Sequence, residues 1–252
     1  MRSDRWTKDQ LKLAFHLYCQ LHHRNPEIVE LARLITRSPG AVAMKLVNFA
    51  SLDPAVVDTG RRGLGNVSDL DREVWNEFHA DWEGLATDCD RLRARLGENS
   101  EPTLDNELAE DLADYTGETR KTVIRQRVKQ QFFRRAVLSS YGSMCCMTGI
   151  SEPGLLIASH IKPWSVDKSN RLNPRNGLCL SALHDRAFDQ GFLTVTQDFR
   201  VLVSPCVAKM GDNKFISMAL RDLDRAPIMP PKRFHPDPTF LAWHYENRFK
   251  RK

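Results

Sequence analysis

Apolar residues in the first part of the chain recur at helical spacing. Thr7 and Gln10 form a capping-box pair, and Leu11, Ala14, Phe15, Tyr18 and Leu21 then follow one face, so a first helix is expected to end near His22. Asn25 stands where it would cap a second helix, with Pro26 at its first position and Ile28, Leu31, Ala32 and Ile35 as its buried stripe. After a short turn at Thr36 and Arg37, Ser38 and Pro39 open a third helix through AVAMKLVNF. The breaker-rich stretch DPAVVDTGRRGLGN reads as a linker or as an arm whose Arg61 and Arg62 touch phosphate. Ser68 then opens one longer helix carrying Leu70, Val74, Trp75, Phe78, Trp82 and Leu85, an aromatic stripe read as core.

The pattern changes in the second half. LLIASHI is an apolar, β-capable run stopped by Pro163, NGLCL is a second short apolar run opened by a turn, and ALHDRAFDQG reads as a short helix closed by Gly191. FLTVT and FRVLVS around Gln197 and Asp198 form a hairpin pattern, and Asp237 with Pro238 starts a last helix. The basic end, RFKRK, reads as touching DNA or as fraying in solvent, with fraying the favoured of the two. The expected class is α+β: a helical domain over 1–96, a polar linker over 97–119 and a second domain over 120–252.

At 252 residues and 41% hydrophobic content the chain is long enough for two cores. The net charge of +5 is too mild to establish a polyanionic partner, but Arg120, Lys121, Arg125, Arg127, Lys129, Arg134 and Arg135 crowd together, whereas Glu101 to Asp114 is acidic. No apolar run approaches the roughly 20 residues of a membrane span, which predicts no membrane association and a cytoplasmic location. Six cysteines without a compact pairing pattern suit a reducing compartment, and Cys145, Cys146 and Cys179 lack the spacing of a zinc knuckle.

Candidate chemistry concentrates between Leu155 and Gly191, where His160, Asn176 and His184 occur in that order on the strand, turn and helix just described. Phosphodiester hydrolysis near neutral pH needs a base, and histidine has the side chain best suited to it. It also needs a cation to neutralise the phosphate, for which His184, Asp185 and Asp189 are candidate ligands. Asp185 and Asp189 are four apart and share a helical face, whereas His184 lies four before Phe188, so the ligand set stays ambiguous.

The segments SHIKPW, NGLCL and LHDRAFDQG, with RQRVKQQFFRRAVLSSYGSMCCMTG upstream, resemble the HNH endonucleases of the ββα-metal fold over roughly half the chain. The resemblance implies that His160 is the general base, that Asn176 fixes the loop holding it and that the third motif, with His184, binds the metal. It further implies Mg²⁺ or Mn²⁺ as cofactor, DNA as substrate, 5′-phosphate and 3′-hydroxyl products, and a restriction or defence role. In this chain Ser159 stands where many members have an acidic ligand before the base. LARLITRSPGAVAMKLVNF is similar to the second half of helix-turn-helix and Myb-like modules, which implies DNA contacts by Arg37, Ser38 and Lys45. Arg127, Lys129, Arg134 and Lys162 are the other expected DNA-binding residues. Two alternatives accompany these readings: a DNA-binding regulator with an inactive nuclease fold, and a helical bundle that makes protein contacts. One catalytic unit serves one strand, so a homodimer is a further expectation.

Overall fold

The computed structural model describes residues 5–21, 26–60, 66–97, 117–211 and 213–252, and of residues 117–121, 124 and 125 the backbone alone. The expected cap Asn25, the residues Arg61 and Arg62 and nearly all of the expected linker lie outside the described residues. The chain forms two compact units, Met1–Arg135 and Ala136–Lys252. It is an α+β protein, and among the described residues its strands lie in the second unit.

In the first unit, α1 (Lys8–Gln20) opens on the expected capping box: the Thr7 hydroxyl accepts from the Gln10 N–H, and the Gln10 side chain accepts from the Thr7 N–H. α2 (Pro26–Leu34) and α3 (Pro39–Ala50) follow, and Ser38 caps α3 by accepting from the Ala41 N–H. The turn between them carries Thr36 at φ 56°, an unfavourable backbone for a β-branched residue, and is closed by the Arg37 N–H on the Ala32 carbonyl at 2.8 Å. The breaker-rich stretch contains one helical turn, α4 (Pro54–Val57), because Asp53 accepts from the Ala55 N–H as its cap.

The single helix expected from Ser68 is two: α5 (Asp69–Ala80) and α6 (Trp82–Arg95). The break falls at Asp81, whose backbone leaves the helical region (φ −145°, ψ 75°) and whose carboxylate accepts from the Gly84 N–H. A capping acceptor there outweighs continuation of the helix. The aromatic stripe nonetheless points inward across the break. Phe15 of α1 lies 5.1 Å from Phe49, 5.3 Å from Trp75 and 6.0 Å from Trp82, ring centre to ring centre, in tilted contacts typical of aromatic cores. α7 (Gly117–Ser140) adds Phe132, which stacks on His16 at 5.1 Å.

Beside this core lies a buried charge pair. Asp71 is fully buried, and its two oxygens each accept from Lys45 Nζ at 2.8 Å, while one also accepts from the Ser68 N–H and from Asn48 Nδ2. The pair ties α3 to the start of α5.

In the second unit, β1 (Leu156–His160) runs antiparallel to β2 (Gly177–Ser181), with Ser159 opposite Leu178 and His160 opposite Gly177. Every residue of β2 is buried, which accounts for its unbroken apolar run. α8 (Ala182–Asp189) starts directly after β2, with Ser181 as its cap. The hairpin of β3 (Leu193–Val195) and β4 (Val201–Val203) and two helices, α9 (Lys214–Ala219) and α10 (Pro238–Asn247), complete the unit.

His244 of α10 locks these pieces together: its ring bonds Thr194 Oγ1 at 2.8 Å and the Phe188 carbonyl at 3.2 Å, and stacks on Phe188 at 3.6 Å. Burial, reinforced by the Arg248 charge against the pull of the Phe188 carbonyl, lowers its pKa to about 4. Gly191 has φ 71°, and a side chain there would meet the Arg248 carbonyl oxygen at 2.0 Å. That approach lets Lys250 donate its N–H to the Gly191 carbonyl and Ser204 Oγ donate to the Lys250 carbonyl. The end expected to fray is therefore hydrogen-bonded to the unit. Among the described residues no helix is long and apolar enough to cross a membrane.

Replacing Asp71 with Ala should strand the Lys45 ammonium, 11% exposed, without its partner and cost about 3–5 kcal/mol, as breaking buried ion pairs does. Denaturant unfolding of the full chain measures it; a loss below about 1 kcal/mol, the range of exposed pairs, would show that the pair does not brace the bundle.

Candidate active site

His160 ends β1, and its Nε2 lies 2.9 Å from the carbonyl oxygen of Arg171. A carbonyl only accepts, so Nε2 carries the proton and Nδ1 carries the lone pair of the neutral ring. Burial lowers the pKa of His160 below the ordinary histidine value, against a smaller upward pull from the Arg171 carbonyl. The same carbonyl accepts from Trp164 Nε1 at 3.2 Å, and Arg171 returns the contact by donating from Nε to the Trp164 carbonyl at 3.3 Å. Its guanidinium covers the Trp164 indole at 5.3 Å, and the indole meets the His160 ring edge-on at 5.9 Å. Two side chains and one carbonyl thus determine how the imidazole is turned.

Asn176 holds the intervening loop. It is completely buried, and its Oδ1 accepts from the Lys162 N–H at 2.8 Å while Nδ2 donates to the carbonyls of Lys162 (3.0 Å) and Asn170 (3.2 Å). Its own carbonyl accepts from the Ile161 N–H, extending the strand pairing by one step. Lys162, expected at DNA, turns its ammonium to Asp167 at 3.0 Å. Burial would raise the Asp167 pKa, but hydrogen bonds from Lys162 and Asn170 outweigh it and hold the carboxyl below its ordinary value.

The expected ligands on α8 do not converge. His184 is 3% exposed, and its Nε2 donates to the Ala219 carbonyl at 2.9 Å while Nδ1 lies 2.6 Å from Ser181 Oγ. The ring also meets Cys145, a residue that cysteine spacing did not single out. Burial raises the thiol, but bonds with His184, Thr148 and nearby backbone bring its pKa down to about 6. Burial likewise lowers His184, and the Cys145 contact and the Ala219 carbonyl more than reverse it. Asp185 and Asp189 occupy a different face, as their spacing requires, and burial together with the charge of Asp185 raises the Asp189 pKa. Among the described residues no three His, Cys, Asp or Glu side chains are grouped to hold a metal ion. Ser159 projects to the opposite side of β1 from His160, is 2% exposed and has no hydrogen-bond partner for Oγ.

As a donor set for a hard cation, these residues fit in part. Two neighbouring carboxylates, with water and substrate phosphate completing the shell, are what Mg²⁺ commonly takes. Asp185 and Asp189 supply that pair; His184 faces inward and does not join it.

Several residues expected at DNA are occupied elsewhere. Lys45 is the partner of Asp71, its half-buried ammonium held by that carboxylate. Arg37 donates to the Arg5 carbonyl (2.8 Å) and to Gln10 Oε1 (3.0 Å) and lies over Trp6, so it braces the start of α1. Ser38 is exposed but serves as the α3 cap, and Lys129 pairs with Glu83. Arg127 and Arg134 are half-buried on α7, and the side chains of Arg120, Lys121 and Arg125 lie outside the description. Arg171 is invisible to a side-chain motif because it acts through its backbone carbonyl. Trp164 lies within the SHIKPW run and so was available as a signal.

Residues 145–196 match the family model described as HNH endonuclease. The match begins at Cys145 and includes β1, the clamped loop, β2, α8 and β3, so this segment is similar to HNH endonucleases, which generally depend on divalent metal. No curated protein matches the chain.

Replacing Asn176 with Ala should orphan the Lys162 N–H and the Lys162 and Asn170 carbonyls, each at about 1–3 kcal/mol where water cannot enter. Chemical denaturation and the intensity of Trp164 fluorescence, compared across Asn176→Ala and Asn176→Asp, check it. Unchanged stability in both variants would contradict the clamp.

Proposed function

We propose that the unit Ala136–Lys252 hydrolyses phosphodiester bonds of DNA, with His160 Nδ1 as the general base. The observation that carries this reading is the His160 Nε2 bond to the Arg171 carbonyl, because it selects the tautomer whose lone pair is on Nδ1. Nδ1 takes the proton from the attacking water, and the lowered pKa keeps it unprotonated at neutral pH. Asn176 is the positioning residue: it holds the loop from which the Arg171 carbonyl is offered. Asp185 and Asp189 would hold a divalent cation, Mg²⁺ or Mn²⁺, which when bound supplies neutralisation of charge on the phosphate and leaving oxygen. Cleavage that leaves 5′-phosphate and 3′-hydroxyl ends, and a role in restriction or defence, belong to the same reading. DNA contact by the first unit is part of the same reading and draws on Arg127, Arg134 and the exposed Ser38 rather than on Lys45.

A second reading, a DNA-binding regulator on an inactive nuclease fold, is favoured by two observations: Ser159 in place of an acidic residue, and His184 turned away from the Asp185–Asp189 face. Cleavage separates the two.

Plasmid cleavage by the full chain should vanish in chelator, return with Mg²⁺ or Mn²⁺ and fall by at least about a hundredfold in His160→Ala. Since the His160 pKa is lowered, the base stays active down to a pH below the ordinary histidine value of about 6.5, and the acidic limb of the rate profile should lie on that side of it. Binding without cleavage in any divalent metal would establish the regulator; cleavage undiminished in His160→Ala would remove His160 as the base.

A further inference from the structure

The basic run RFKRK, residues 248–252, has no part in the hydrolytic chemistry, yet the second unit fixes it in place. The N–H groups of Arg248 and Phe249 donate to the His244 carbonyl, and the Lys250 N–H donates to the Gly191 carbonyl, just past the end of α8. The carbonyls of Lys250 and Lys252 accept from Ser204 Oγ and Cys206 Sγ. Phe249 stacks on Tyr245 at 5.6 Å. Backbone groups and an aromatic pair do the fastening, so the charged side chains are not consumed by it.

Arg248, Lys250 and Arg251 are exposed and make no ion pair among the described residues. Lys250 Nζ lies over the Phe192 ring at 4.0 Å, and Arg251 lies over Tyr245 at 5.4 Å while donating to the Glu246 carbonyl. Rings and carbonyls orient a cation without cancelling its charge. Arg186 of α8, also exposed and without an ion pair among the described residues, is a fourth such group.

These cations border the candidate cation pair. Burial and the charge of Asp185 push the Asp189 carboxyl up, and Arg248 and Arg186 pull against them, so both guanidinium groups lie within electrostatic reach of that pair. On α8, α10 and the run that follows, the acids are Asp185, Asp189 and Glu246. Apart from the pair itself, Glu246 is thus the one acid of these elements set against four cations. Two carboxylates alone would repel a phosphate that has to approach them. A row of fixed positive charges beside them reverses that field and complements a polyanion, and duplex DNA presents one negative charge per about 1.7 Å of its axis.

We propose that Arg186, Arg248, Lys250 and Arg251 form a phosphate strip that receives the DNA backbone beside Asp185 and Asp189. The inference rests on the reading of the unit as a DNA hydrolase and names a surface on which that unit takes its substrate.

The test is equilibrium binding of the full chain to duplex DNA in chelator, by fluorescence anisotropy across a salt series, with thermal unfolding to verify each fold. Arg248→Gln with Lys250→Gln should bind about tenfold more weakly, with a salt slope smaller by about two, one for each phosphate no longer neutralised. Arg248→Lys with Lys250→Arg keeps both charges and should keep the wild-type slope. Arg200→Gln with Arg225→Gln removes two exposed charges from the β3–β4 side of the same unit and should leave the slope unchanged. Should the first variant unfold, Lys250→Gln alone carries the test, with a slope smaller by about one. Wild-type binding by the strip variant, or an equal loss in the Arg200 and Arg225 variant, would overturn the strip and leave the nuclease reading standing. A wild-type chain that neither binds nor cuts DNA would remove that reading and the strip with it. A strip variant that binds DNA normally but loses binding to phosphatidylserine vesicles would assign the row to a lipid surface and also overturn it.

Discussion

The site depends on one buried amide. Asn176 closes three hydrogen bonds onto the loop that follows β1, tying Lys162 and Asn170 to the start of β2, while the loop is exposed at Ser165, Val166, Lys168 and Ser169. With the loop held, the Arg171 carbonyl is positioned to accept from His160 and Trp164 together. The imidazole's orientation is therefore inherited from backbone geometry, and the proton's place on the ring follows from an acceptor that cannot donate. A general base needs this arrangement, because a ring free to rotate or to exchange tautomers would meet water with its lone pair only part of the time.

Elsewhere in the chain, charge is used inward more than its abundance suggests. Lys45, Arg37, Lys129 and Lys162 all belong to patterns that suit phosphate, yet each is engaged by a carboxylate, amide or carbonyl of its own unit. The exposed pairs among these contribute little to stability, whereas Lys45 with Asp71 replaces solvent around two buried charges and so acts as a brace.

Much of this architecture is readable from spacing. The capping box at Thr7, the cap at Ser38, the aromatic stripe and the strand, turn, strand and helix around His160 follow local rules that tertiary structure reinforces. The features that spacing does not reveal share a different physical origin. The break at Asp81 requires a carboxylate to cap α6 instead of facing solvent, and α4 requires Asp53 to do the same. The inward turn of His184 depends on a carbonyl thirty-five residues away and on Cys145, contacts that exist only once α9 and α8 have packed. The ordered C-terminal end depends on an approach of Arg248 to Gly191 that a glycine permits but does not announce.

Everything proposed for the site turns on His160 being held as a neutral ring with its proton on Nε2 and its lone pair on Nδ1. Nitrogen-15 NMR of the histidine side chains in the full chain, assigned through His160→Gln and followed across pH, reads this directly. The expected result is a protonated Nε2, an unprotonated Nδ1 and a pKa below the ordinary value of about 6.5. A ring protonated at Nδ1, or one that titrates above that value, would contradict it.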